Sequence, residues 1–168
     1  MKPHHRLHRI LCATLLWIAA CAALADATVE KADGRKLDEV FARSELHIAT
    51  LDAKLHRFDI WIADSDQRRA RGLMFVDHMN ADAGMLFIYP TAQHIAMWMK
   101  NTHIPLDMLF VSADGRVAQV VADTVPMSLK TIESDKDVNA VIELNAGTAA
   151  RLHIGPGSQV IHPAFAKR

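Results

Sequence analysis

Residues 106–122 read LDMLFVSADGRVAQVVA, and this stretch decides the fold. Two apolar runs flank Ala113-Asp114-Gly115, and an Asp-Gly pair between such runs is the strongest short-range signal for a β-hairpin. Immediately before it, residues 97–105 read MWMKNTHIP. Met97 and Met99 alternate with Trp98 and Lys100, so the methionines share one strand face and the indole and ammonium the other. Asn101, Thr102 and His103 then make a polar corner. Asn and Thr suit such a corner because their short side chains bond nearby backbone groups.

Working outward extends the period-two pattern. Residues 46–51 and 55–63 alternate, with Phe58, Ile60 and Ile62 on one face, and a turn at 52–54 joins them as an antiparallel hairpin. Asp64-Ser65-Asp66 supplies helix-capping side chains, and the helix that follows ends near Gly72, which tolerates a left-handed C-terminal conformation. Residues 84–89, GMLFIY, form a continuous apolar run expected to be a strand buried on both sides and ended by Pro90. Residues 123–137 read as a long polar loop. Residues 138–144 make another strand, 147–152 a short helix, 155–157 a Gly-Pro-Gly turn and 159–161 a last strand. There is no internal repeat and no low-complexity tract. The expected fold is mainly β (α+β): a small antiparallel barrel or sandwich of about seven to eight short strands with two short helices.

The N-terminus carries targeting rather than fold. A basic start (Lys2, Arg6, Arg9), an apolar run over 10–24 and the exit Ala23-Leu24-Ala25 fit a cleaved secretory signal, too short for a membrane span. The expected organisation is a signal peptide at 1–25, a polar tether at 26–45, one β-rich domain at 46–161 and a tail at 162–168. The destination is the periplasm or the exterior. Ile18-Ala19-Ala20-Cys21 approximates a lipoprotein site, so acylation at Cys21 is the alternative to a cut after Ala25. Both cysteines, Cys12 and Cys21, lie in the signal. A chain cut after Ala25 has none, and disulfides and thiol catalysis drop out. It retains 168 − 25 = 143 residues, enough for one ordinary core. With 19 − 3 = 16 basic against 19 acidic residues its net charge is −3, which argues against nucleic acid or an anionic membrane as main partner. No later segment is long and apolar enough to span a bilayer, and the mature chain is expected to be a monomer.

Four strings occur in order: Arg71-Gly-Leu-Met74, Gly84-Met-Leu-Phe87, Met97-Trp-Met-Lys-Asn-Thr102 and Ile104-Pro-Leu-Asp107. With Asp114-Gly115, residues 141–144, Ala146-Gly147 and Gly157, this set resembles the family of small proteins catalogued as domain of unknown function 192. The resemblance covers about residues 46–161. It implies a compact, β-rich, often exported single domain and brings no established activity. His103 falls where that family varies, so a metal role for it would be particular to this chain.

Two constellations can carry chemistry. Arg71, Lys100, Asn101, Thr102, Asp107 and Glu143 form the polar one, with Trp98 beside Lys100 as a cation–π partner or a site wall. Asp107 and Glu143 interrupt apolar strands, where an unpaired carboxylate is costly, so pairing with Arg71 or Lys100 is expected. Such pairs either only fix the fold or line a pocket in which the cations meet an anionic group. In that pocket Asp107 and Glu143 orient the ligand or act as acid and base. The second constellation, His94, Met97, Met99, His103 and Met108, offers copper(I) ligands, against core filling as the ordinary use of methionine. No cofactor is expected, and zinc lacks ligand pairs at suitable spacing. No nucleophile elbow, phosphate-cradling loop, dinucleotide fingerprint or His-Glu-x-x-His occurs. The sequence therefore favours a binding module for a small anionic molecule or a protein partner's acidic group in the cell envelope, with a periplasmic enzyme and copper handling as alternatives.

Overall fold

Strand β5 (Leu106–Val111) is buried along its whole length, because it pairs antiparallel with β6 (Val117–Val121) on one side and β8 (Val138–Asn145) on the other. The computed structural model describes residues 36–166. Outward from β8, the sheet continues through β3 (Ala83–Gln93), β2 (Leu55–Ala63), β1 (Ala42–Ala49) and β9 (Gln159–Ile161). Its two ends meet. Val117 N–H donates to the Ser158 carbonyl at 2.9 Å, Val160 N–H to the Gly115 carbonyl at 2.7 Å, and Arg116 bridges Gln159. The sheet is thus a nearly closed barrel, and closure removes the unpaired edges that an open sheet would present.

The mainly β, barrel-like reading holds, and the antiparallel hairpins β1–β2 and β5–β6 form around the expected turns. The β2–β3 pair, however, is parallel. Between them lies helix α2 (Asp66–Arg71), capped by the Ser65 hydroxyl, which accepts from Arg68 N–H, and closed at Gly72 with φ +45°. Pro90 does not end β3. The register shifts between Ile88 and Gln93, and at such an irregularity a missing N–H costs little. The strand expected through residues 97–100 shrinks to β4 (Ala96–Met97), which pairs with β7 (Ile132–Glu133) inside the expected loop. Helix α3 (Thr148–Arg151) follows β8, and a 3-10 turn (Pro163–Phe165) closes the described chain. Among the described residues there are nine strands and three α-helices, against seven to eight and two expected.

The fold also begins earlier than Leu46. Helix α1 (Leu37–Val40) rests Leu37 and Val40 on the core, and Phe41 is buried. Trp61 Nε1 donates to Asp38 at 2.7 Å, and the Arg43 guanidinium lies 4.4 Å from the indole centroid. The expected tether is therefore folded chain from residue 36 onward. The signal peptide, Cys21 and residues 26–35 lie outside the described residues.

Alternation along the strands gives the sheet two apolar faces. Inward-facing Leu46, Phe58, Ile60, Leu86, Leu109 and Ile142 fill the barrel. Outward-facing Met85, Phe87, Met108, Phe110 and Val141 form a second core, covered by Leu73, Ile95 and Met99 from the segments that cross outside. Thr124 pins that cover: its hydroxyl accepts from Leu106 N–H at 3.1 Å and its own N–H donates to the Leu106 carbonyl at 2.9 Å. Gly84 keeps β3 close to β8, since a Cβ there would sit 2.7 Å from the Glu143 carbonyl oxygen.

Candidate functional site

The site is built on β8. Val141, Ile142, Glu143 and Leu144 alternate, so Glu143 leaves the barrel with Val141 and enters the outer core. Its register partners are Met85 on β3 and Met108 on β5, which give its carboxyl nothing polar to bond. Glu143 is 4 % exposed and makes no hydrogen bond or ion pair with another described residue. Burial penalises the charged form and pushes its carboxyl up to about 8. At neutral pH it is an uncharged acid.

Asp107 is on the other side of the sheet. Met108 faces Glu143 in register, so Asp107 faces Leu144 and points away from the outer core. There its carboxylate accepts from Ala149 N–H in the first turn of α3 at 2.8 Å and from Asp123 N–H at 3.0 Å. Two backbone donors, not Arg71 or Lys100, solve its burial. The acid–base pair expected from Asp107 and Glu143 is not assembled, because one strand position separates them onto opposite faces.

Above Glu143 the outer layer leaves a cavity of about 320 Å3. Of the expected binding residues it is lined by Arg71, Trp98, Lys100, Thr102 and Glu143, and not by Asn101 or Asp107. Arg71, at the end of α2, is 7 % exposed. Its Nη1 donates to the Met74 carbonyl and, at 3.3 Å, to that of Gly72, and its guanidinium lies 5.6 Å from the Phe75 centroid. Lys100 holds its Nζ 5.2 Å from the Trp98 centroid and meets no carboxylate among the described residues. Thr102 donates its hydroxyl to the Lys100 carbonyl at 3.3 Å. Asn101 makes the corner itself. It is left-handed at φ +55°, and its carbonyl accepts from Phe75 N–H at 2.7 Å.

Sequence reasoning missed Arg69 and Tyr89. Arg69 donates to the Ile88 carbonyl at 2.7 Å, pairs with Asp66 and lies 4.8 Å from the Tyr89 ring centroid. Burial raises the Tyr89 hydroxyl, which donates to Met97 Sδ at 3.7 Å. A signal existed for Tyr89: it shares strand parity with Met85 and Phe87 and ends the run with a polar tip. Among the described residues Arg69, Arg71 and Lys100 thus line the cavity with Asp66, which pairs with Arg69.

The methionines of the methionine–histidine set share the outer core, and its two histidines pair with carboxylates at the surface instead. Met99 and Met108 are sealed in the outer core, with Thr124 Oγ1 3.2 Å from Met99 Sδ. His103 pairs with Asp77 at 2.7 Å and His94 with Asp137 at 3.8 Å, both toward solvent. Met97 is taken by Tyr89. Core filling describes these methionines better than ligation. Among the described residues no three His, Cys, Asp or Glu side chains are grouped to hold a metal ion.

The family DUF192, described as Uncharacterized ACR, matches residues 47–162. Two solved structures are similar along most of the chain. One, from Sinorhizobium meliloti 1021 and provisionally described as a transcription regulator, is 36 % identical with a TM-score of 0.73, covering 74 % of this chain and 96 % of that one. Another, a protein of unknown function from Novosphingobium aromaticivorans DSM 12444, is 30 % identical with a TM-score of 0.68, covering 76 % of this chain and 98 % of its own. No curated protein matches the chain.

Proposed function

Since the chain belongs to the DUF192 family, for which no activity is established, we propose a function from its own geometry: it binds a small anionic organic molecule in the cavity over Glu143. The observation that carries this reading is the charge balance of that cavity. The Lys100 ammonium lines it and meets no carboxylate among the described residues, Arg69 is balanced by Asp66, and Glu143 is held neutral by burial. A volume of about 320 Å3 suits a small molecule better than a protein segment. Phe87, Tyr89, Met97 and Trp98 supply apolar wall, so the ligand carries an apolar body as well as a charge. The export signal expected at residues 1–25 would put this binding in the cell envelope. The regulator description of the Sinorhizobium relative is not carried over. A mature chain of net −3 is the opposite of a surface that tracks nucleic acid phosphates.

Lys100→Ala tests the reading. The side chain is partly exposed and touches chiefly Trp98, so its loss is expected to change stability by no more than about 0.5 kcal/mol. Calorimetric titration with small organic anions should nevertheless show clearly weaker binding. Unchanged affinity at low salt would remove the anion-binding reading. A second reading has one observation in its favour: a buried carboxyl, pushed up to about 8 by that burial, opens onto the cavity, where it suits proton transfer at neutral pH. In that case Glu143 acts without Asp107, and Glu143→Gln abolishes turnover while Asp107 variants that fold retain it.

A further inference from the structure

Resting on that reading, we propose that the cavity selects a monocarboxylate with a flat apolar body, and that Glu143 captures the ligand's carboxylate through one proton shared between the two carboxyl groups. The inference starts from hydrogen-bonding capacity. Most donors around the cavity are already committed. Arg69 spends its guanidinium on the Ile88 carbonyl and Asp66, Arg71 directs Nη1 to the carbonyls of Met74 and Gly72, and Thr102 donates to Lys100. A phosphate or sulfate needs several donors converging on one centre. This cavity instead offers diffuse positive potential and the Lys100 ammonium near Trp98.

Glu143 is the contrasting group. It lines the cavity, is more than nine-tenths buried, and has no partner among the described residues. Between Met85 and Met108 no described residue takes up its hydroxyl, which leaves it for a ligand that enters. A neutral carboxylic acid offers one strong O–H donor, and its bond to a ligand carboxylate is a short, charge-assisted O–H···O⁻ contact. The proton stays between two oxygens and no covalent bond changes. The charge that results is one negative unit, faced by Arg69 and Arg71 from α2 and by Lys100 from the corner. Asp66 is the opposing charge on α2, and Tyr89 on β3 stays neutral because burial raises its hydroxyl. Between the aromatic walls of Phe87, Tyr89 and Trp98, a planar apolar body fits better than a polar one.

The proton gives the test. Below the range in which Glu143 ionises, the proton is already in place and binding takes up none. Above it, binding must draw about one proton from solvent. The purified chain is titrated calorimetrically with benzoate, inorganic phosphate and benzamide at about pH 6 and about pH 9, in buffers of differing ionisation heat. Benzoate is expected to bind at least about tenfold more tightly than either comparator and to take up about one proton at the higher pH. Glu143→Gln, which keeps a donor of the same shape, is expected to bind benzoate with no proton uptake and a flattened pH dependence. Phosphate binding as tightly as benzoate, or proton uptake surviving in Glu143→Gln, overturns the carboxylate inference and leaves the anion pocket standing. No binding of any anion at either pH removes both.

Discussion

Replacing Glu143 by Gln is expected to stabilise this protein at alkaline pH and leave it unchanged in acid. The wild-type carboxyl ionises at about 8 in the folded chain against 4.5 for an exposed glutamate. Below pH 4.5 both states hold the proton, and the folded state carries no penalty. As pH rises from 4.5 toward 8, the unfolded chain releases its proton while the folded chain keeps it. The unfolded state then binds fewer protons, so stability falls with rising pH, by about 1.4 kcal/mol per unit. Over that interval the loss approaches about 5 kcal/mol, an upper value because a real interior relaxes around a new charge. Against a typical total of about 5–15 kcal/mol, such a loss is large. Glutamine fills the same volume and has nothing to ionise. Urea unfolding of both proteins from about pH 4 to about pH 9 should give curves that coincide in acid and diverge by several kcal/mol above pH 8. Curves that run parallel across the whole range would refute the view that Glu143 is buried without a partner among the described residues.

Asp107→Asn should cost about 2–3 kcal/mol, since an amide replaces one of two oxygens that accept from the Ala149 and Asp123 N–H groups. Its effect on ligand affinity should be negligible, because the side chain faces away from the cavity; urea unfolding and titration of the same preparation check both halves. Export predicts a mature N-terminus at Asp26, read by intact mass of protein recovered from the periplasm. A lipid-modified mass beginning at Cys21 would redirect the chain to the membrane surface, and an uncut Met1 would remove the export proposal.

The hairpins were legible because each is a local matter: Asp114-Gly115 supplies its own turn, and alternation names the buried face of β1 and β2. Strand direction across α2 was not legible, since period two is the same for parallel and antiparallel neighbours. The strand through Pro90 was hidden for a related reason: whether its missing N–H matters depends on where the register of β3 against β8 slips. The candidate site divides in the same way. Glu143 and Asp107 were both visible as carboxylates in apolar runs, but their relation rests on the register of β5 against β8. That register sets Met108, and not Asp107, beside Glu143. Arg69 and Tyr89 escaped because their meeting depends on how α2 lies over β3, which no spacing in the chain encodes.

The barrel keeps its own filling apart from the layer in which Arg71, Lys100 and Glu143 meet. A designer wishing to retune what the cleft accepts can therefore rewrite Trp98 and Lys100, the overlay positions that the outer core does not bury, while Ile95 and Met99 go on covering the sheet beneath.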